Sequence, residues 1–220
     1  MIYKELFDLD KTISIDLFMN HDNEFNVLKY LKDDISVLGN YLDINNYKEI
    51  KKNIWVGKNV VIDESATIVG PCIIDDNTII RPNAYIRENV IIGKKCVIGN
   101  SCELKNSIIF DECQIPHFNY VGDSIIGYHS HLGAGVIISN LKNDKSNIVI
   151  KDKEIIDIGM RKFGCIIGSN VDVGCNSVIF PGTIIKDNVS IYPLTRVRGV
   201  IEENSIVKDE NNIIKKKVLK

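Results

Sequence analysis

Between Ile54 and Cys113 the chain reads IWVGKN, VVIDES, ATIVGP, CIIDDN, TIIRPN, AYIREN, VIIGKK, CVIGNS, CELKNS, IIFDEC. The third place of these hexads holds Val56, Ile62, Ile68, Ile74, Ile80, Ile86, Ile92, Ile98, Leu104 and Phe110. The first place is mostly small or β-branched, as in Val60, Ala66, Cys72, Thr78, Ala84, Val90, Cys96 and Cys102. A period of two marks a half-buried strand and a period of 3.6 an amphipathic helix. A period of six is neither. It fits short strands separated by turns, each strand presenting two alternate side chains to one interior. Gly57, Asp63, Gly70, Asp76, Asn77, Pro82, Asn83, Gly93, Gly99 and Asn100 fill the turn places, as corners require. Three sides close a triangular coil of about eighteen residues, and stacked coils bury a continuous column. The expected fold is all-β, a left-handed parallel β-helix. Its handedness is the known exception to the right-handed crossover rule and is not read from the spacing.

Outward from this stretch the pattern breaks and resumes. In QIPHFN the third place is Pro116, and the phase slips by two after Asn119. It resumes in SIIGYH, SHLGAG and VIISNL with Ile126, Leu132 and Ile138 in the third place. From about 141 to 163 the charged stretch LKNDKSNIVIKDKEIIDIGMRKF lacks the hexad and is predicted to leave the coil as a loop or hairpin excursion. The repeat returns at CIIGSN with Ile167, Val173, Ile179, Ile185, Ile191 and Val197 in register. The reading is a helical cap segment over 1–50, a β-helix over 51–207 and a tail over 208–220, a solvated cap or final strand. In NEFNVLKYLKDDISVLG, Phe25, Leu28, Leu31, Ile35 and Leu38 share a helix face. Asp22 or Asn23 caps its start and Gly39 its end, and the helix is expected beside the open end of the stack.

With 220 residues, 45% hydrophobic and 25% charged, the chain can bury a core. Its net charge of -2 gives no electrostatic case for nucleic acid or an acidic membrane. No apolar run approaches the roughly 20 residues of a spanning helix, and the first residues lack a signal-peptide stretch, so a cytoplasmic protein is expected. The six cysteines form no CxxC pair and fall mostly on interior places, where they act as small hydrophobes.

Rule-breaking inside a regular solenoid is expected at functional sites. The break, QIPHFNYVGDSIIG, holds His117, Asn119, Tyr120 and Asp123. A histidine there is a candidate general base or, equally, a surface or packing residue. In LGAGVIISN, Gly133 and Gly135 flank Ala134, where exposed amides could hold an oxyanion or merely turn a tight corner. Arg81, Arg87, Lys94, Lys95 and Lys105 precede the break and suit phosphate contacts or plain solvation.

The stretches AYIREN, IGNSCELKNSII, PHFNYVGDSIIG and LGAGVIISN, with the later KFGCIIGSNVDVGCNSVIFPGTII, resemble the β-helix domain of the bifunctional uridylyltransferase/glucosamine-1-phosphate acetyltransferase and of related sugar-phosphate nucleotidyltransferases. The resemblance implies an N-acetyltransferase using acetyl-CoA as co-substrate, an amino-sugar phosphate or sugar nucleotide as acceptor, no metal, and a homotrimer. It implies His117 as general base, with Arg87, Glu103, Lys105, Tyr120, His131, Asn140 and Lys145 around the acceptor. Gly133, Ala134, Gly135 and Ser169 are implied at the donor. His131 stands where those acetyltransferases carry an asparagine, LKNDK replaces a tyrosine-aspartate-glycine run, and Lys145 matches only with a one-residue shift. These departures leave open a non-catalytic protein that binds a sugar nucleotide or docks a separate nucleotidyltransferase. With some fifty residues ahead of the repeat and no Gly-rich loop among them, nucleotidyl transfer by this chain is not expected.

Overall fold

The structure, a computed structural model, describes residues 6–217. Short strands stack in parallel on three faces of a left-handed prism. The first face runs from Ile54–Val56 through Cys72–Ile74, Val90–Ile92, Ser107–Ile109, Ile125–Ile126, Cys165–Ile167 and Thr183–Ile185 to Val200–Ile201. The second runs from Val61–Ile62 to Ser205–Asp209 and the third from Thr67–Ile68 to Arg196–Val197. Their inner residues, from Ile74, Ile80 and Ile86 up to Val197, Ile201 and Val207, form one buried column. Most corners carry a left-handed residue, and asparagine tolerates that conformation best among non-glycines. Asn59, Asn77, Asn170, Asn188 and Asn204 fill one corner line and Asn53, Asn89 and Asn106 another, all at positive φ.

The register departs from the hexad count between Leu104 and Ile126. Ile92 pairs with Ile109 and Ile109 with Ile126, so the interior residue of that coil is Ile109 and not Phe110. The chain shortens by one residue between Leu104 and Ile109 and again between Val121 and Ile126. The expected two-residue slip after Asn119 is therefore two single deletions at the corner between the third and first faces. His117 lies on a regular coil, paired with Asn100, and Ile115 rather than Pro116 points inward. Phe110 is buried outside the column against Phe7 and Phe18, with ring centroids 5.4 and 5.7 Å away.

The reason lies on the outer side of the first face. Trp55, Ile73, Ile91, Ile108, Ile125, Ile166 and Ile184 form an apolar stripe that must be covered. Helix α1 (Ile15–Asn20) and helix α2 (Glu24–Tyr41) lie on it through Leu17, Phe18, Phe25, Leu28, Leu31 and Ile35. The helical segment thus covers a side of the prism, not its open end. Asn23 caps α2 as expected, its Oδ1 accepting from the Asn26 N–H at 2.9 Å. Gly39 does not end the helix. It lies within it, because a Cβ there would sit 2.5 Å from the Trp55 ring. The first coil is edged by Lys48–Lys51, antiparallel to Ile54–Val56, and the last by Asn212–Lys215, antiparallel to Ser205–Asp209.

The excursion forms a hairpin, Val149–Lys151 with Ile155–Asp157, pinched at its base by the Leu141 and Lys162 bridge. Its Ile148, Ile150 and Phe163 continue the apolar cover above α2, where Phe163 meets Phe25 edge-on at 5.3 Å. Five cysteines are buried and Cys175 is exposed. Burial pushes the Cys165 thiol up to about 12, so it behaves as a hydrophobe. Among the described residues no helix is long and apolar enough to cross a membrane.

Candidate functional site

The corner between the second and third faces carries a regular ladder. The Ser101, Phe118, Gly135, Asn176 and Leu194 amides donate to the carbonyls of Pro82, Asn100, His117, Ala134 and Cys175. These acceptors form one column along the prism edge, His117 directly below Ala134 and Cys175 directly above it. The Gly133 and Gly135 amides are spent on Val173 and His117, at 2.7 and 3.0 Å. The Ala134 amide has no partner among the described residues. Asn119, buried, braces both coils: its Oδ1 accepts from the His117 N–H at 3.1 Å and its Nδ2 donates to the Gly133 carbonyl at 2.7 Å. His117 is exposed at this edge, one coil below Ala134.

The adjoining third face carries a polar cluster. Tyr85, Glu103, Tyr120 and Ile137 stack in register on its outer side. Arg87 and Lys105 follow two residues on. The Arg87 Nη1 donates to Glu103 Oε1 at 3.0 Å, which holds the guanidinium charged, while its Nε is buried without a partner. Lys105 makes no ion pair among the described residues. Tyr120 lies flat along the face, because a Cβ on Gly122 would sit 2.6 Å from its hydroxyl. That hydroxyl accepts from Asn140 Nδ2 at 3.2 Å, and burial raises its pKa. Asp123, almost wholly buried at the shortened corner, ties Asn140 to Asn106. An arginine with an unspent donor, a free lysine, a phenol and an amide suit a phosphorylated polyol.

Arg87, Glu103, Lys105, Tyr120 and Asn140 are thus brought onto one face, and His117, Gly133, Ala134 and Gly135 onto its leading corner. Others lie apart in this chain. His131 is on the second face, its Nδ1 2.8 Å from Asp172 Oδ1 on the next coil. Ser169 lies at the corner between the first and second faces, its N–H donating to Asp187 Oδ1 at 2.7 Å. The same motif recurs at Lys58 with Asp76 and Lys94 with Asp111, so a structural corner accounts for the Ser169 contact. Lys145 is in the excursion, its carbonyl accepting from Arg161 Nε. Asp123 was visible at the break but not its anchoring role. Cys175 carried no local signal, and only the coil register puts it above Ala134.

The fold defines a class, the hexapeptide-repeat β-helix, and comparison with known proteins narrows it. Residues 68–160 match the family model of the GMPPB C-terminal domain. The chain is 39% identical over 112 residues to the bifunctional protein GlmU of Methanococcus aeolicus, covering 50% of this chain and 27% of that one. It is 41% identical over 88 residues to the bifunctional sugar-1-phosphate nucleotidylyltransferase/acetyltransferase of Sulfurisphaera tokodaii, covering 40% of this chain and 22% of that one. The match spans about a quarter of the length of these relatives. The chain is thus similar to part of the bifunctional sugar-phosphate nucleotidyltransferase/acetyltransferases.

Proposed function

We propose that the chain is an acyl-CoA-dependent N-acyltransferase, with acetyl-CoA as donor and an amino-sugar phosphate or nucleotide-linked amino sugar as acceptor. The observation that carries this reading is the stacking of the exposed His117 under Ala134, whose amide has no partner among the described residues, on one corner column beside the Arg87, Lys105, Tyr120 and Asn140 face. The similarity to acetyltransferase-bearing relatives supports it.

The acceptor amine must lose a proton to attack. His117 takes it as the nitrogen adds to the thioester carbonyl. The carbonyl oxygen becomes an oxyanion, which the Ala134 N–H meets, as a preorganised backbone donor should. The C–S bond then breaks, and the thiolate leaves with the proton from His117. Arg87 and Lys105 hold the phosphate, and Tyr120 and Asn140 fix the sugar against them. His131 and Lys145 would reach the acceptor, and Ser169 the donor, only from a neighbouring subunit of the homotrimer that the resemblance implies.

The test is His117→Ala. Turnover should fall by roughly 10²–10⁴, the range of general-base help, with the oligomer unchanged by light scattering. Near-native turnover removes His117 from the role. Coenzyme A titration of the native chain separates the rival: no donor binding leaves a non-catalytic sugar-nucleotide binder.

A further inference from the structure

Arg87, Lys105, Gly122, Ser139, Phe180 and Arg198 each follow the inner residue of a third-face strand, on successive coils. They form a second column on that face, along the edge opposite His117 and Ala134. Its lower members belong to the polar cluster. Its upper members are roofed by the excursion, which leaves a groove of about 290 Å³ lined by Lys142, Val149, Lys151, Phe180, Pro181 and Arg198, among others. An adjoining groove of about 400 Å³ shares Lys142, Phe180 and Pro181 and reaches back to Ser139. The two make one trough that climbs from the cluster to Arg198.

No carboxylate lines the upper groove. Lys151 and Arg198 form no ion pair among the described residues. The Arg198 guanidinium stacks 4.3 Å above the Phe180 ring, and the Lys142 ammonium is held by the Asn147 carbonyl and Ser146 Oγ. Asp144 lines the adjoining groove and faces Lys142, so the uncompensated cations are Lys151 and Arg198 of the upper groove, and with the aromatic wall they suit a ligand with negative charge and a planar ring. From Lys105 to Arg198 is four coils, about 19 Å at roughly 4.8 Å per coil. A sugar monophosphate held by Arg87 and Lys105 is too short to reach Phe180. The donor column runs up the other edge of the face, on the order of 10 Å away at about 3.3 Å per strand residue. The trough therefore continues the acceptor's track and not the donor's.

We propose that the trough seats the nucleoside diphosphate of a nucleotide-linked amino sugar, so that the acceptor is a sugar nucleotide and not a free sugar phosphate. This rests on the acyltransferase reading and narrows its substrate class.

The experiment is calorimetric titration of the full chain with UDP, dTDP and GDP, and separately with coenzyme A. It is repeated on the doubly substituted Lys151→Ala/Arg198→Ala chain and on Phe180→Leu. The paired change removes exposed side chains and should leave the melting temperature unaltered. At least one nucleotide should bind the native chain and lose tenfold or more in affinity in the double variant, with coenzyme A affinity held within twofold. Absence of binding by all three nucleotides, or equal binding by native and variant chains, overturns the proposal. So does a variant that loses coenzyme A instead, which would make the trough a donor site. Failure of the native chain to bind coenzyme A sinks the acyltransferase reading independently of the nucleotide result.

Discussion

The Asn140 amide is tied across one coil to Asp123, its Nδ2 donating to Oδ2 at 2.5 Å while also reaching the Tyr120 hydroxyl. Asp123 has only 4% of its surface exposed, and its other oxygen accepts from Asn106 at 2.9 Å. It touches no open surface of the site, so it acts by positioning. Asp123→Ala should leave two amides short of an acceptor and lower stability by about 1–3 kcal/mol. If it positions the acceptor side alone, the acceptor KM rises about tenfold, kcat changes less, and the coenzyme A KM is unaltered. Steady-state kinetics with each substrate varied in turn decides this. An equal rise in both KM values would show a collapsed corner instead.

His131 and Asp172 pose a different question, since both are exposed and their contact is between coils of the second face. Exposed pairs are worth about 0–1 kcal/mol. Asp172→Asn should therefore shift the thermal midpoint very little. The resemblance sets His131 in the place of an asparagine, so under the proposed function His131→Asn is expected to change the ratio of kcat/KM between amino-sugar acceptors and leave the donor KM alone. An unchanged ratio across a panel of acceptors would assign His131 to the solvated surface.

Much of this architecture is written in single residues. The isoleucine ladder and its asparagine corners disclose the prism, because only a six-residue strand-and-turn period buries that pattern. The excursion is legible as the one stretch where the ladder stops. What misleads is a local ambiguity: in SIIFDEC two adjacent large residues, Ile109 and Phe110, compete for the interior place, and periodicity cannot choose between them. The choice depends on Phe7 and Phe18, about ninety to a hundred residues earlier in the chain. Gly39 misleads likewise, since its reason is the Trp55 ring and not a helix end. Of the site, the loop motifs place His117 and Ala134 near one another, but that they share a column follows from the shortened coils. The Ala134 amide is legible only once its neighbours' carbonyl partners are known.

The outward setting of Phe110 is directly testable. Phe110→Ala removes a fully buried ring and should cost about 3–5 kcal/mol. The loss should fall on the contact between the N-terminal segment and the prism, not on the coil stack. Limited proteolysis is expected to cut within residues 6–41 sooner than in the native chain, with the strand signal in circular dichroism retained. Loss of the strand signal together with the N-terminal segment would return Phe110 to the interior column.

Acid should act on the corner between the first and second faces with a sign that can be worked out. Asp111 accepts the Lys94 N–H at 2.8 Å, yet burial holds its carboxyl above the usual carboxylate range. Asp187, which accepts the Ser169 N–H, is raised for the same first cause. A folded carboxyl that binds its proton more readily than the unfolded one contributes stability that is complete below the unfolded pKa and is lost as pH climbs through the folded value. Asparagine in the same place cannot titrate. The melting temperature of the native chain relative to Asp111→Asn should therefore improve as pH is lowered from about 7 to about 4, whatever both chains do in absolute terms. Carboxylates held low, such as Asp63 and Glu112, push both chains the other way and cancel in the difference. A difference that stays flat, or that turns against the native chain in acid, would mean that the Lys94 amide and not burial governs Asp111.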